Sequence, residues 1–265
     1  MLTVLGLGLV VGVILALTGA GGGILAVPLL VFGIGMSVAE AGPIGLLAVG
    51  IAAALGALLG LREGIVRYRA ALLIAAAGML LAPLGLWLAQ RIDNRWLGIL
   101  FAMVLLLVAV RTFRQATRPA AAPAGAGAPH PCRRDPATGR FIWTSSCARA
   151  LALSGTVAGL LSGLLGVGGG FVMVPALQRY TDLPMKSVIA TSLAVIALVS
   201  VAGVATSALT GGLAWKVALP FSAGALAGML AGRAVSARLA GPHLQIGFAA
   251  VSAAVAIGMI GRSAF

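Results

Sequence analysis

Two glycine runs carry the chemistry most legible in this chain. Gly19-Ala20-Gly21-Gly22-Gly23 and Gly166-Val167-Gly168-Gly169-Gly170 each interrupt an apolar stretch, and Pro28 and Pro175 follow them. Backbone N–H and C=O groups freed by such a break cannot face lipid, so the break must be buried in protein or line a cavity. Glycine allows a ligand close to the main chain and accepts positive φ without steric cost. The apolar stretches 24–33 and 171–179 would each begin a half-helix with unpaired N–H donors and a partial positive charge at its start. That is an anion site built from backbone, with Gly21, Gly22, Gly23, Gly168, Gly169 and Gly170 as its candidates. Pro28 and Pro175 are expected near the first helical turns, where a missing N–H costs least. The alternative for small residues is close helix packing, but a break duplicated together with its proline favours binding. Neither run is a P-loop, because Ile24 and Phe171 stand where the lysine is required.

Thr191 and Ser192 are two adjacent hydroxyls early in an apolar run. They would either donate to a bound oxyanion or bond back to carbonyls of their own helix. Their counterparts in the first half, Ile44 and Gly45, have no hydroxyl, so a site using them is chemically lopsided. Glu63 sits among Arg62, Arg67 and Arg69, and Asp93 between Arg91 and Arg95, which reads as solvated loop pairing. Glu40 opens a long apolar run and is read first as a helix N-terminal cap, with an intramembrane functional role as the alternative. Cys132, Cys147 and His130 are too few and too scattered for a zinc site, and a cytoplasmic linker would keep the thiols reduced. His243 reads as interfacial. No nucleophile–base set or paired carboxylates stand out, so neither an enzyme nor a metal or cofactor requirement is expected.

What positions these residues is a duplicated membrane unit. An offset of 147 carries Gly21 to Gly168, Pro28 to Pro175, Gly64 to Gly211, Arg91 to Arg238 and Phe101 to Phe248. A register held over that length is the signature of an internal repeat. Glycine and proline breaks at corresponding places in two halves point to a transporter's binding site. The chain is 61% hydrophobic and 9% charged, with a mean hydropathy of +1.12, which selects a membrane protein. Spanning segments are expected near 40–61, 70–89, 96–113, 149–165, 187–209, 217–236 and 243–261. The first segment lacks a basic n-region, so a cleaved signal is not expected. The net charge of +13 is not read as nucleic-acid binding, because so apolar a chain leaves no surface for a phosphate-tracking stripe.

The basic residues report orientation instead. If 2–33 is one full span, they divide 12 against 6 between the two faces. If 2–33 and 149–178 are hairpins of half-helices, they divide 14 against 4, a stronger bias. The expectation is therefore an all-α integral membrane protein of two inverted-topology halves. Each half has a Gly-broken first helix or re-entrant hairpin plus three spanning helices. The halves are 1–114 and 147–265, joined by a basic Pro/Ala/Gly tether at 115–146 that faces the cytoplasm. Phe141-Ile142-Trp143 would return that tether to the interface.

Gly-Ala-Gly-Gly-Gly-Ile-Leu-Ala-Val-Pro at 19–28, Gly-Val-Gly-Gly-Gly-Phe-Val-Met-Val-Pro at 166–175 and Ala-Thr-Ser-Leu at 190–193 resemble the TauE/SafE sulfite exporter family, also called the 4-toluene sulfonate uptake permease family. The resemblance covers the chain outside the linker. It implies a bacterial inner-membrane carrier for small sulfur-containing anions such as sulfite or organosulfonates. It also implies site roles for Gly22, Gly23, Pro28, Gly169, Gly170, Pro175, Thr191 and Ser192. The first half departs from the pattern at Ala41-Gly42-Pro43-Ile44-Gly45-Leu46, where the hydroxyl-bearing segment is missing. The rival readings are an anion channel using the same loops as a constriction, a carrier of an unrelated organic anion, and a membrane enzyme or scaffold. The expected partners are the anion and the bilayer, and a homodimer is compatible with the sequence.

Overall fold

The computed structural model describes residues 1–19, 21–116, 131–132, 143–209, 211, 213–239 and 242–264. The linker reading at 117–130 and 133–142 lies outside them, and with it His130, Asp135, Phe141 and Ile142. Ten helices account for nearly all of the described chain. The first half holds α1 (Leu2–Thr18), α2 (Gly21–Ile34), α3 (Val38–Arg62), α4 (Tyr68–Arg91) and α5 (Asn94–Ala116). The second holds α6 (Ser145–Leu165), α7 (Gly170–Tyr180), α8 (Met185–Leu209), α9 (Trp215–Leu239) and α10 (Pro242–Ala264). Among the described residues, α3, α4, α5, α6, α8 and α9 are long and apolar enough to cross a membrane.

Local sequence explains where these helices start and stop. Gly19 closes α1 and Gly166 closes α6 in the left-handed conformation, at φ 72° and 71°, which costs glycine nothing. Ser37 opens α3 with a capping box: its hydroxyl accepts from the Glu40 N–H, and Glu40 Oε2 accepts from the Ser37 N–H at 3.1 Å. Glu40 is thus a helix cap, in keeping with the first of its two readings. Thr144 caps α6 by accepting from the Cys147 N–H at 3.2 Å.

The breaks at Gly19 and Gly166 turn the chain back. Gly22 lies against Val11 and Leu15 and Gly33 against Leu7, so α1 and α2 run antiparallel. Gly169 lies against Ala158, while the ends of α6 and α7 meet through Cys132, which bonds to Cys147 and bridges to Thr181. Both segments are therefore hairpins whose two ends lie at one end of the bundle. At about 1.5 Å per residue, α1 and α6 reach most of the way through a hydrocarbon core, and the shorter α2 and α7 start about halfway and return.

Contacts between the halves are exchanged by the same 147-residue offset. Gly8 sits on Phe221 as Gly155 sits on Ile74, and Gly12 on Ala225 as Gly159 on Gly78. Gly232 approaches Val13 as Gly85 approaches Leu160, and Gly19 lies on Ile189 as Gly166 lies on Gly42. Each hairpin therefore packs on spanning helices of the other half. In these places a Cβ would meet backbone or a neighbouring side chain, so glycine sets how closely the helices approach. At the centre α3 and α8 cross antiparallel, with Gly60 by Ala190, Gly56 by Leu193, Gly50 by Ser200 and Gly203 by Leu46.

Candidate functional site

The hairpin tips meet between α3 and α8. A Cβ on Gly23 would lie 2.5 Å from the Val167 carbonyl oxygen and 3.4 Å from Val49. A Cβ on Gly168 would lie 2.9 Å from Ile196, 3.5 Å from Val49 and 3.7 Å from the Ser200 hydroxyl. Val49 and Ile196 each stand near the middle of their 25-residue helices. The start of α2 and the turn before α7 thus converge at mid-depth, and residues 162–170 are all buried.

The two halves differ at this point. In the second half, Gly168 and Gly169 have φ of 75° and 68°, and α7 begins only at Gly170. The N–H groups of Val172 and Met173 donate to the Gly169 carbonyl, whereas those of Val167 to Phe171 donate to no acceptor among the described residues. Unpaired N–H groups in successive left-handed residues ahead of a helix form an anion-binding concavity. In the first half, Gly21, Gly22 and Gly23 are not a loop: they are the first turn of α2. Ala20 lies outside the described residues. Gly22 presses onto Val11 and Leu15, as Gly169 presses onto Ala158 in the second half.

Pro28 and Pro175 lie deeper than expected. They are the eighth residue of α2 and the sixth of α7, past the first turn. Each removes the N–H that would have reached the carbonyl four residues earlier, on Ile24 and on Phe171. The prolines therefore loosen the two short arms just beyond the glycines.

Thr191 and Ser192 do not join the Gly168 turn. Ser192 donates back to the Ile189 carbonyl at 2.8 Å. The Thr191 hydroxyl accepts from the Arg67 N–H at 3.1 Å, pinning the start of α4 to α8. Both lie near the end of α8 where the tip of the first hairpin reaches Ile189. The α8 residues at the Gly168 turn are Ile196 and Ser200, one and two turns further on. Ser200 went unnoticed in the sequence because a single serine in an apolar helix ordinarily bonds to its own backbone.

Two further expectations change. Glu63 pairs with Arg233, across the halves, and not with the arginines beside it in sequence. Cys132 and Cys147 are joined in a disulfide with their Cα atoms 4.9 Å apart, which overturns the reading of two free thiols. The pair closes because Thr144 Oγ1 and Cys132 N–H tie the returning linker to Pro131 and to the Tyr180 carbonyl. Elsewhere, an apolar groove of about 210 Å³ lies between the first hairpin and α10, lined by Ile14, Leu25, Phe248 and Val251 among others. Thr18 also lines it, with its hydroxyl donating to the Ile14 carbonyl at 2.7 Å.

The family model "Sulfite exporter TauE/SafE" matches residues 4–259. The chain belongs to the TauE/SafE family. Two relatives from Xylella fastidiosa are similar along nearly their whole lengths. The first, from strain 9a5c, is 31% identical over 99% of this chain and 96% of its own. The second, from strain Temecula1, is 30% identical over the same shares. Both carry the name "Probable membrane transporter protein". YunE of Bacillus subtilis strain 168, "Probable membrane transporter protein YunE", is 37% identical over 31% of this chain and 30% of its own. No solved structure matches. This TauE/SafE member is accordingly a multi-pass membrane transporter.

Proposed function

We propose that this TauE/SafE member is a secondary carrier for small sulfur-containing oxyanions such as sulfite or organosulfonates. The anion is held where the hairpin tips converge between α3 and α8. The observation that carries this reading is the buried turn ahead of α7, in which Gly168 and Gly169 are both left-handed and Gly168 lies at the level of Val49 and Ile196. The positive end of α2 faces the same level, so two helix dipoles favour negative charge there. Burial of residues 162–170 means that access from either face requires one half to rock against the other, which is alternating access at a fixed mid-depth site.

In this reading the two halves have inverted topology, and the linker and the ends of α3, α6 and α9 face the cytoplasm of the inner membrane. The 14-against-4 division of basic residues supports that orientation. Thr191 acts at the cytoplasmic approach, not at the binding turn.

The test is a proteoliposome assay with purified protein and radiolabelled sulfite trapped inside. Saturable efflux, competed by organosulfonates and lost in Gly169→Leu protein that remains folded, supports the carrier. Non-saturating flux at channel rates, or no flux of any sulfur oxyanion, overturns it.

A further inference from the structure

Resting on the anion-carrier reading, we infer that the buried turn binds monoanions in preference to dianions, and that Ser162 and Ser200 complete its donor set. Hydroxyls in these helices ordinarily satisfy themselves. Ser154 on α6 donates to Ala150 at 2.7 Å, and on α8 Ser192 and Thr206 donate to Ile189 and Ala202, both at 2.8 Å. Ser162 and Ser200 do not: both are buried, at 0% and 2% exposure, and neither hydroxyl has a partner. A buried hydroxyl left without a hydrogen bond is destabilising unless something else supplies one.

Both stand on the elements that hold the Gly168–Gly169 turn. Ser200 Oγ lies 3.7 Å from where a Gly168 Cβ would be. Ser162 follows Ala158 by four residues, on the α6 face that packs against Gly169. The counterparts of Ser162 and Ser200 in the first half are Leu15 and Ala53, which cannot donate. The polar site therefore belongs to the second hairpin alone.

The charge selectivity follows from what surrounds these donors. No Asp, Glu, Lys, Arg or His occurs before Glu40, between Glu40 and Arg62, between Arg149 and Arg179, or between Lys186 and Lys216. Those stretches include all of α2, α7 as far as Gln178 and the middles of α3, α6 and α8, so the site is built from neutral N–H and O–H dipoles. Taking an ion out of water costs free energy that rises with the square of its charge, while its attraction to fixed dipoles rises only in proportion to the charge. A dianion is therefore poorly compensated here without a cation. A sulfonate or hydrogensulfite has one charge spread over several oxygens, which suits several weak donors.

The experiment is competition against labelled sulfite uptake in proteoliposomes at fixed pH and ionic strength, with methanesulfonate and sulfate as the fixed-charge probes. Methanesulfonate is expected to inhibit at concentrations at least about tenfold below sulfate. Ser200→Ala and Ser162→Ala should each weaken methanesulfonate inhibition by about tenfold, the loss of one hydrogen bond to a charged group. Ala53→Ser should leave it unchanged. Each variant is checked for an unaltered thermal midpoint, so that misfolding is not read as lost binding. Equal inhibition by sulfate and methanesulfonate, or wild-type inhibition constants in both serine variants, overturns this inference and leaves the carrier reading standing. Wild-type protein that moves no sulfite overturns the carrier reading itself.

Discussion

Gly166 lies directly on the backbone of Gly42, and the equivalent pair in the other half is Gly19 on the Ile189 side chain. The same joint is thus closed by backbone in one half and by an isoleucine in the other. Gly42→Ile would install the partner's side chain where there is no room for it. The expected result is a displaced second hairpin, loss of transport and a thermal midpoint lowered by several degrees in detergent. Ile189→Ala removes the filling from the other joint; Ile189 is only half-buried, so the expected cost is about 1–2 kcal/mol, below that of a fully buried isoleucine.

Glycine substitutions should sort by what faces them. Gly12→Leu and Gly159→Leu meet the backbones of Ala225 and Gly78, and both are expected to abolish recovery of monodisperse protein. Gly6→Ala and Gly247→Ala face open space and should be neutral in the same size-exclusion assay. Gly64→Ala also has room but sits at φ 71°, so it should cost about 1–2 kcal/mol through backbone strain alone.

Thr191 and Ser192 should separate cleanly. Thr191→Val removes the acceptor for the Arg67 N–H and is expected to destabilise by about 1–3 kcal/mol, the cost of a buried unsatisfied donor. Thr191→Ser should restore stability. Ser192→Ala removes only a bond back to Ile189, and its thermal midpoint should match the wild type.

Ser37→Ala breaks the capping box of α3 and should cost about 0.5–2 kcal/mol. Thermal denaturation in a single detergent measures it, and transport at a permissive temperature should be retained because the cap is remote from the glycine turn.

The Cys132–Cys147 bond closes a loop between residues 15 apart, and its loss through a Cys132→Ser/Cys147→Ser double variant should cost about 3 kcal/mol by loop entropy. Its state in the cell reports the linker's side. Rapid alkylation in intact cells, before air can act on the protein, reads that state. A disulfide trapped in the cell would reverse the orientation drawn from the basic residues.

Much of this architecture was legible in the residues. The helix boundaries follow the apolar runs, and the 147-residue register read in the sequence recurs in the structure's contacts, Gly8–Phe221 being matched by Gly155–Ile74. The glycine runs were legible as breaks, but not the difference between them: Gly168 and Gly169 are left-handed ahead of α7, whereas Gly21 to Gly23 are already helical. The same holds for Glu63, whose partner Arg233 is 170 residues away. Thr191 and Ser192 drew attention as a pair, whereas the buried hydroxyls without a partner among the described residues are isolated serines, Ser162 and Ser200 at the turn and Ser222 and Ser252 away from it. A hydroxyl's role depends on which helix face it occupies at a crossing, and that is decided by tertiary packing.

The hairpins also bear on how such a chain arose. In the topology proposed above, each enters and leaves on one face and adds no net passage through the bilayer, which leaves three crossings in each half. An odd number obliges the second copy to sit upside down relative to the first. A half-length ancestor could make the α1–α9 and α4–α6 contacts only by meeting a copy of itself inserted the other way up. Fusion through a linker removes that requirement, and once fused, the two copies were free to diverge, one keeping Leu15 and Ala53 and the other Ser162 and Ser200.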